Sequence, residues 1–286
     1  MSSAGRALVG GERPLLPFTG HVPPSGATVP ARVRRIAADA TRGRGPALIA
    51  VAHGSRDPRS AATMSAVVID IAHRRPDLDV RLAFLDLNTP SVDQVIDAVA
   101  AAGHTEAVVV PLLLGSAFHA RVDLPGILAA ARTRHPRLIL TQADVLGTDD
   151  RLVAALRDRV LGTGADIGDT GLGVAVAAVG SSSAAANRAT AEVAARLAAG
   201  TSWQSTICFA TTTPSLPQAV AQLRRRGAER VTVAPWFLAP GLLTDRLVAD
   251  GPRLTHAPTI GGHPLLGAVA LERYRAANEV TVELSA

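Results

Sequence analysis

Short apolar segments alternate with longer amphipathic segments along most of this chain. Buried parallel strands are continuously apolar, whereas helices place their apolar residues about every three to four positions. In the first half of the chain, this pattern predicts strands at 47–53, 80–86, 105–111 and 138–141. It predicts helices at 61–75, 91–102, 120–135 and 149–161.

The same alternation starts again after a glycine-rich stretch. Strands are predicted at 172–180, 203–209 and 230–235, with a short one near Leu254, and helices at 184–199, 215–226, 242–249 and 264–277. Strands that alternate regularly with helices form parallel sheets covered by helices on both faces. We therefore predict an α/β protein with two tandem three-layer αβα domains, each built on a mainly parallel four-stranded sheet.

The boundaries of these units follow changes in composition. Residues 1–45 are rich in Pro, Gly and Arg, and we expect a flexible leader with at most a weak helix at 31–40. The first half then covers 46–162, a linker 163–171 and the second half 172–277, which leaves 278–286 as a tail.

The two halves align with one another as an internal repeat. Ala52-His53-Gly54-Ser55 matches Ala178-Val179-Gly180-Ser181, Thr89-Pro90-Ser91 matches Thr213-Pro214-Ser215, Pro111 matches Pro235, and Leu146-Gly147 matches Ile260-Gly261. These shared positions are turns, strand ends and helix starts, so they are interpreted as scaffold.

Three polar residues of the first half interrupt this agreement. In the alignment, His53, Asp86 and His119 correspond to Val179, Ala210 and Leu243. Each of the three follows a different strand at the same edge of one sheet, where open α/β sheets bind their ligands. A repeat that keeps its scaffold but lacks these polar residues indicates that the chemistry belongs to the first half alone.

Two imidazoles and a carboxylate suit a divalent ion such as Fe²⁺, Co²⁺ or Ni²⁺. A histidine with an ordinary pKa near 6.5 can also accept a proton at neutral pH. Simpler alternatives remain open, because His53 alone could be a hydrogen-bonding loop residue and Asp86 could cap a turn. His73, His104 and His135 lie next to helix ends and are expected to be solvated.

Residues around the two motif histidines could bind an acidic ligand. Backbone amides at Gly54, Ser55 and the following helix start could receive a carboxylate. Arg56, Arg59 and Arg121 could pair with substrate carboxylates or be solvated loop residues.

Composition narrows the functional classes. The single cysteine, Cys208, excludes a disulfide framework and a cysteine metal site within one chain, and it suits a reducing cytoplasm. It lies inside an apolar strand, so we expect its side chain to be buried. No apolar run approaches the ~20 residues that span a bilayer. The net charge of +5 comes entirely from arginine, but no basic stripe with interleaved aromatic residues indicates nucleic-acid binding. We expect a cytoplasmic protein that binds neither nucleic acid nor membrane.

Three longer motifs resemble the sirohydrochlorin chelatases, which are class II chelatases. The motifs are His53-Gly54-Ser55-Arg56-Asp57-Pro58, the segment from Phe84 to Ser91 that contains Asp86 and Thr89-Pro90, and the segment from Pro111 to Pro125 that contains His119, Arg121 and Asp123. The resemblance covers roughly 47–275, in the two-half form of the family, and implies a chelatase-like fold for both halves.

The resemblance implies insertion of Fe²⁺ or Co²⁺ into sirohydrochlorin for sirohaem or cobalamin synthesis. The metal would be a substrate, and no cofactor would be permanently bound. The family's two motif histidines, which bind metal and assist removal of the pyrrole protons, match His53 and His119. The family usually has glutamate where this chain has Asp86, which is one methylene shorter.

The resemblance also suggests that the acidic tetrapyrrole lies between the two halves, in a monomer or homodimer. We expect a lyase, a sirohydrochlorin ferrochelatase or cobaltochelatase, with iron as the first choice. Two alternatives use the same residues. One is a non-catalytic metal-binding protein or metallochaperone, and the other is a tetrapyrrole-binding module.

Overall fold

The computed structural model describes residues 45–115 and 123–285, so the expected leader lies almost wholly outside the described residues. The first half contains β1 (Ala47–Ala52), α1 (Pro58–Arg74), β2 (Val80–Phe84), α2 (Val92–Ala101), β3 (Glu106–Pro111), α3 (Leu124–Arg134), β4 (Ile139–Gln142) and α4 (Asp150–Leu161). Its four strands are all parallel, in the order β2-β1-β3-β4.

The second half repeats this arrangement. It contains β5 (Leu172–Ala178), α5 (Ala184–Ala198), β6 (Gln204–Phe209), α6 (Leu216–Arg225), β7 (Arg230–Pro235), α7 (Leu242–Asp250), β8 (Thr255–His256) and α8 (Pro264–Ser285). The strand order β6-β5-β7-β8 is equivalent to that of the first sheet, and all pairs are again parallel. The predicted α/β architecture with two tandem domains is therefore confirmed.

Alternate residues of the central strand β1 face two different cores. Leu48, Ala50 and Ala52 belong to an inner core that also contains residues of the second half. The residues between them face an outer core formed with α2 and α3. Because side chains alternate along a strand, a strand buried on both faces must be apolar throughout, and every residue of β1 is buried.

The last helix of each half packs on the sheet of the other half. Helix α4 follows β4 along the chain but contacts β7 and α5 in the second half. Helix α8 follows β8 but contacts α1, β3 and β4 in the first half. The boundary predicted at residue 162 thus separates the two halves along the chain. It does not separate them in space, because each half packs a helix on the sheet of the other.

Two equivalent arginines fasten these exchanged helices. Arg159 of α4 donates hydrogen bonds from Nε and Nη2 to the carbonyl of Ile260, at 3.2 and 2.8 Å. Arg273 of α8 donates from Nη2 to the carbonyl of Leu146, at 3.2 Å. Leu146 and Ile260 are matched in the internal repeat, so each helix binds the same carbonyl of the opposite half.

Two helices differ in length from the sequence prediction. Helix α1 begins at Pro58, because Asp57 caps it by accepting a hydrogen bond from the amide of Arg59. Helix α8 continues to Ser285, so the segment expected to be a tail after residue 277 is helical over nearly its whole length.

Over the described residues, none of the helices combines the length and the apolar character that crossing a membrane requires.

Replacing Arg273 should destabilise the protein, because the carbonyls that it serves would lose a charged donor. We expect Arg273→Met to lower the free energy of unfolding by about 1–3 kcal/mol. The measurement is urea unfolding followed by circular dichroism. Arg74→Met is the matched control, since it removes an exposed pair with Asp70 one helical turn away and should cost about 0.5 kcal/mol or less. Equal losses in the two variants would contradict a fastening role for Arg273.

Candidate active site

The loop between β1 and α1 carries the first predicted site residue. His53 follows directly after the buried strand β1 and is exposed. Its backbone carbonyl accepts a hydrogen bond from the amide of Asp86 at 3.0 Å. This bond joins the ends of β1 and β2, so His53 and Asp86 lie side by side at the carboxyl edge of the first sheet, as the sequence predicted.

Gly54 allows this loop to approach its neighbour closely. Its φ of 97° lies in the left-handed region, and a Cβ there would stand 1.8 Å from the carbonyl oxygen of Asp86. Only glycine fits both conditions. Gly180, its counterpart in the second half, has a φ of 94°. The shared glycine therefore shapes the turn.

The amides around Ser55 are already used within the loop. The Ser55 amide donates to Asn88 Oδ1 at 2.7 Å, and Ser55 Oγ accepts from the Asp57 amide at 3.1 Å. A side chain from the neighbouring β2–α2 loop therefore occupies the Ser55 amide, and a substrate carboxylate would have to displace it.

The Asp86 carboxylate helps to build its own turn. Its Oδ1 accepts from the Leu87 amide at 2.7 Å, and its backbone carbonyl accepts from the Asn88 amide at 2.7 Å. Leu87 has a φ of 62° in this tight turn. Asp86 itself is exposed. Of the two interpretations left open by the sequence, a role in the turn has direct structural support.

The structure corrects the repeat alignment at Asp86. The amide of Asp86 donates to the His53 carbonyl, and the equivalent donor to the Val179 carbonyl is Thr211. Ala210 instead matches Leu85. The Leu85 amide donates to the carbonyl of Ala52, and the Ala210 amide donates to the carbonyl of the equivalent residue, Ala178. The counterpart of Asp86 in the second half is thus the polar residue Thr211 and not Ala210. The match of His53 with Val179 is confirmed.

The second half borders this loop directly. A Cβ on Gly241, which precedes α7, would lie 4.0 Å from Ser55 Oγ. Arg59 Nη2 donates to Asp245 Oδ2 of α7 at 2.6 Å. The loops at the carboxyl edges of the two sheets therefore lie next to each other. The region between these edges, here called the cleft, is bordered by the loop that carries His53.

Apolar side chains are exposed at the carboxyl edge of the second sheet. Val179, the counterpart of His53, is 44% exposed at the end of β5, and Leu242 is 75% exposed at the start of α7. Exposed aliphatic residues at a ligand-binding edge are suited to an apolar ligand face.

The remaining predicted site residues are placed as follows. Arg56 is exposed in the loop after His53. His119 and Arg121 fall in the segment 116–122, outside the described residues. Within residues 45–115 and 123–285, His, Cys, Asp and Glu side chains form no group of three or more that could hold a metal ion.

Two other sequence expectations can be judged. His104 is not solvated, because its side chain is 9% exposed and its Nε2 lies 2.9 Å from Asp79 Oδ2. Cys208 is buried as expected, and burial raises the pKa of its thiol to about 12, which excludes a reactive thiolate at neutral pH.

Sequence reasoning named Arg59 as a possible partner of substrate carboxylates, but it missed the group that Arg59 forms with Asp57 and Asp245. The hydrogen bond from the Arg59 guanidinium holds the pKa of the Asp57 carboxyl below its usual value. The pair Asp57 and Arg59 could have been suspected from their spacing around the helix start. Asp245 could not, because it is distant in sequence.

Comparisons with known proteins agree with this geometry. The family model described as CbiX matches residues 47–163 and 173–277, and so covers both halves. A sirohydrochlorin ferrochelatase from Priestia megaterium is 28% identical over 204 residues, which make up 70% of this chain and 76% of the relative. A sirohydrochlorin cobaltochelatase from the same organism is 26% identical over 252 residues, covering 82% of this chain and 81% of the relative.

A solved structure shares the fold. The structure of SirB from Bacillus subtilis with Fe³⁺ superposes with a TM-score of 0.69, covering 82% of this chain and 95% of that one, at 24% sequence identity. At this level of identity, the likeness concerns the arrangement of sheets and helices.

Substituting Gly54 should damage the site through the fold. Gly54→Ala adds a Cβ against a carbonyl that the turn holds in place, which we expect to cost about 1–3 kcal/mol of unfolding free energy beyond about 1–2 kcal/mol for the left-handed conformation. Gly103→Ala is the matched control, since Gly103 has a φ of 85° and a Cβ added there would have nothing within 4 Å. Equal midpoints in thermal unfolding would contradict the close contact.

Proposed function

Because the chain belongs to the CbiX family, we propose that it inserts a divalent metal ion into sirohydrochlorin, with release of two protons. The observation that carries this proposal is the exposed His53 at the sheet edge where the two halves meet. The match to both halves and the names of the relatives support the same reaction. The protein would be a lyase that uses the metal ion as a substrate and holds no permanent cofactor.

The cleft has the chemistry that such a substrate needs. Sirohydrochlorin combines an apolar macrocycle with carboxylate groups around its rim. Val179 and Leu242 offer exposed aliphatic surface for the ring. Arg56 and Arg121 are proposed as partners of the carboxylates, because arginine binds carboxylates with paired hydrogen bonds. Gly54 and Ser55 contribute by shaping the loop that holds His53.

We assign the metal and the protons to His53 and His119. Each imidazole lone pair first binds the incoming metal, which suits Fe²⁺ or Co²⁺. As the metal moves to the macrocycle nitrogens, the lone pairs become available to accept the two pyrrole protons. The protons then pass to water, so charge and atoms balance. Asp86 is proposed to assist at most through its proximity to His53, since its Oδ1 serves the turn.

Fe²⁺ is proposed as the physiological metal and Co²⁺ as the alternative. The sequence has no histidine-rich tract that could store other metals. The relatives include both activities, so the metal has to be measured. We expect a higher kcat/KM for Fe²⁺ than for Co²⁺ or Ni²⁺ when sirohydrochlorin conversion is followed by absorbance under anaerobic conditions. A preference for Co²⁺ would overturn the assignment of iron but would leave the proposed chelatase activity in place.

Replacing either motif histidine should abolish the reaction. We expect His53→Ala and His119→Ala each to lower kcat/KM for metal insertion by at least about a hundredfold, the range for loss of a proton-transfer group. Circular dichroism should show both variants folded, because His53 is exposed and contributes little to the core.

His73→Ala is the matched control, since His73 is an exposed histidine in the last turn of α1. It should retain wild-type conversion. Wild-type rates in both motif variants would reject the assignment. A wild-type protein that binds metal without converting the tetrapyrrole would indicate a metallochaperone, and one that binds the macrocycle without any dependence on His53 would indicate a binding module.

A further inference from the structure

Arg59 forms a direct side-chain contact between the two walls of the cleft. Its Nε donates to both carboxylate oxygens of Asp57, at 3.0 and 3.1 Å. Its Nη2 donates to Asp57 Oδ2 at 2.5 Å and to Asp245 Oδ2 at 2.6 Å. Asp57 belongs to the loop that carries His53, and Asp245 belongs to α7 of the second half. The guanidinium is thus oriented by its own loop and directed at the opposite wall.

Helix capping does not require these charges. Asp57 caps α1, and Ser183 caps α5 at the equivalent position of the repeat. The Ser183 hydroxyl meets the need with a neutral oxygen, and Ala185 stands where the first half has Arg59. The second half therefore lost this charged pair together with the histidine, while it kept the cap. The charges are associated with the chemistry of the first half.

The contact with Asp245 uses the guanidinium only partly. Asp245 accepts from Nη2 alone, and Nη1 of Arg59 has no acceptor among the described residues. The edge formed by Nη1 and Nη2 can hold a carboxylate through two parallel hydrogen bonds. A carboxylate arriving in the cleft could therefore make a better contact than Asp245 makes.

Replacing the Asp245 carboxylate on Arg59 by another carboxylate costs little free energy. The side chains of Arg59 and Asp245 are 51% and 52% exposed. Ion pairs with this exposure contribute little to stability and are weakened by salt. A contact this weak does not hold the two halves together, but it does keep the Arg59 guanidinium in position between them.

We propose that Arg59 binds a carboxylate of the tetrapyrrole substrate, which takes the place of Asp245. This inference rests on the proposed function, because it requires an acidic ligand in the cleft. Asp57 then acts as a positioning residue that keeps the guanidinium oriented, and Asp245 acts as a competitor that fills the site when substrate is absent.

The two sides of the ion pair predict opposite effects, which a simple clamp would not produce. Arg59→Gln removes the substrate contact, so we expect KM for sirohydrochlorin to rise about 5- to 10-fold. Asp245→Asn removes the competitor, so KM should fall about 2- to 5-fold. In both variants kcat should stay within about twofold of wild type, because neither residue moves the metal or the protons.

Two exposed residues on the same helices serve as controls. Arg74→Gln removes a positive charge and an ion pair at the far end of α1, and Asp250→Asn removes a negative charge at the far end of α7. Both should leave KM unchanged. If Arg59→Gln and Asp245→Asn raise KM together, the pair is only a clamp between the halves, and if neither changes KM, the carboxylate contact is absent.

Failure of this inference can be told from failure of the proposed function. A wild-type protein that converts sirohydrochlorin, with variants that do not shift in opposite directions, overturns the role of Arg59 alone. A wild-type protein that neither converts nor binds sirohydrochlorin overturns both. Binding is measured independently of turnover by following intrinsic tryptophan fluorescence as the tetrapyrrole is added without metal.

Discussion

The exchange of α4 and α8 is the constraint on which the arrangement of both sheets depends. Each helix leaves its own half and covers the inner face of the other sheet, where Arg159 and Arg273 donate to matched carbonyls. A carbonyl buried at such a contact needs a donor, and a charged one binds it strongly. The inner core that results includes residues of both halves, so neither sheet can shift without disturbing the other.

This coupling gives the second half a structural role, although Val179 stands where the first half has His53. It supplies α8 to the first sheet and the opposite wall of the cleft to His53. The features retained in both halves are those that backbone geometry requires, such as the glycines at φ of 97° and 94° and the capping boxes that begin at Ser91 and Ser215. The features lost are charged or titratable groups at the edge of the sheet.

Local patterns were sufficient to predict the strands and most helices, because burial on both faces makes the central strands β1 and β5 apolar throughout. They could not reveal the exchange, since the apolar stripe of α4 or α8 shows that one face is buried but not which sheet buries it. The repeat did contain a signal, as Arg159 and Arg273 lie equally far after the matched glycines Gly147 and Gly261. The misplacement of Asp86 arose because Pro90 follows Phe84 by one residue more than Pro214 follows Phe209, and a sequence alone does not locate that extra residue.

Two parts of the cleft are held by different kinds of interaction: the loop around His53 by backbone contacts, and the pair of Arg59 and Asp245 by an exposed ion pair. The loop that carries His53 is held by the left-handed turn at Gly54, by the bond from the Asp86 amide to the His53 carbonyl and by the Asn88 side chain on the Ser55 amide. Arg59 and Asp245 lie farther out, where both are half exposed and their contact is easily exchanged. In the proposed reaction, metal transfer requires atoms fixed relative to the macrocycle, whereas entry of a large acidic ligand requires contacts that break readily. The proposed roles separate these two demands along one segment, from His53 at the end of the strand to Arg59 at the start of the helix.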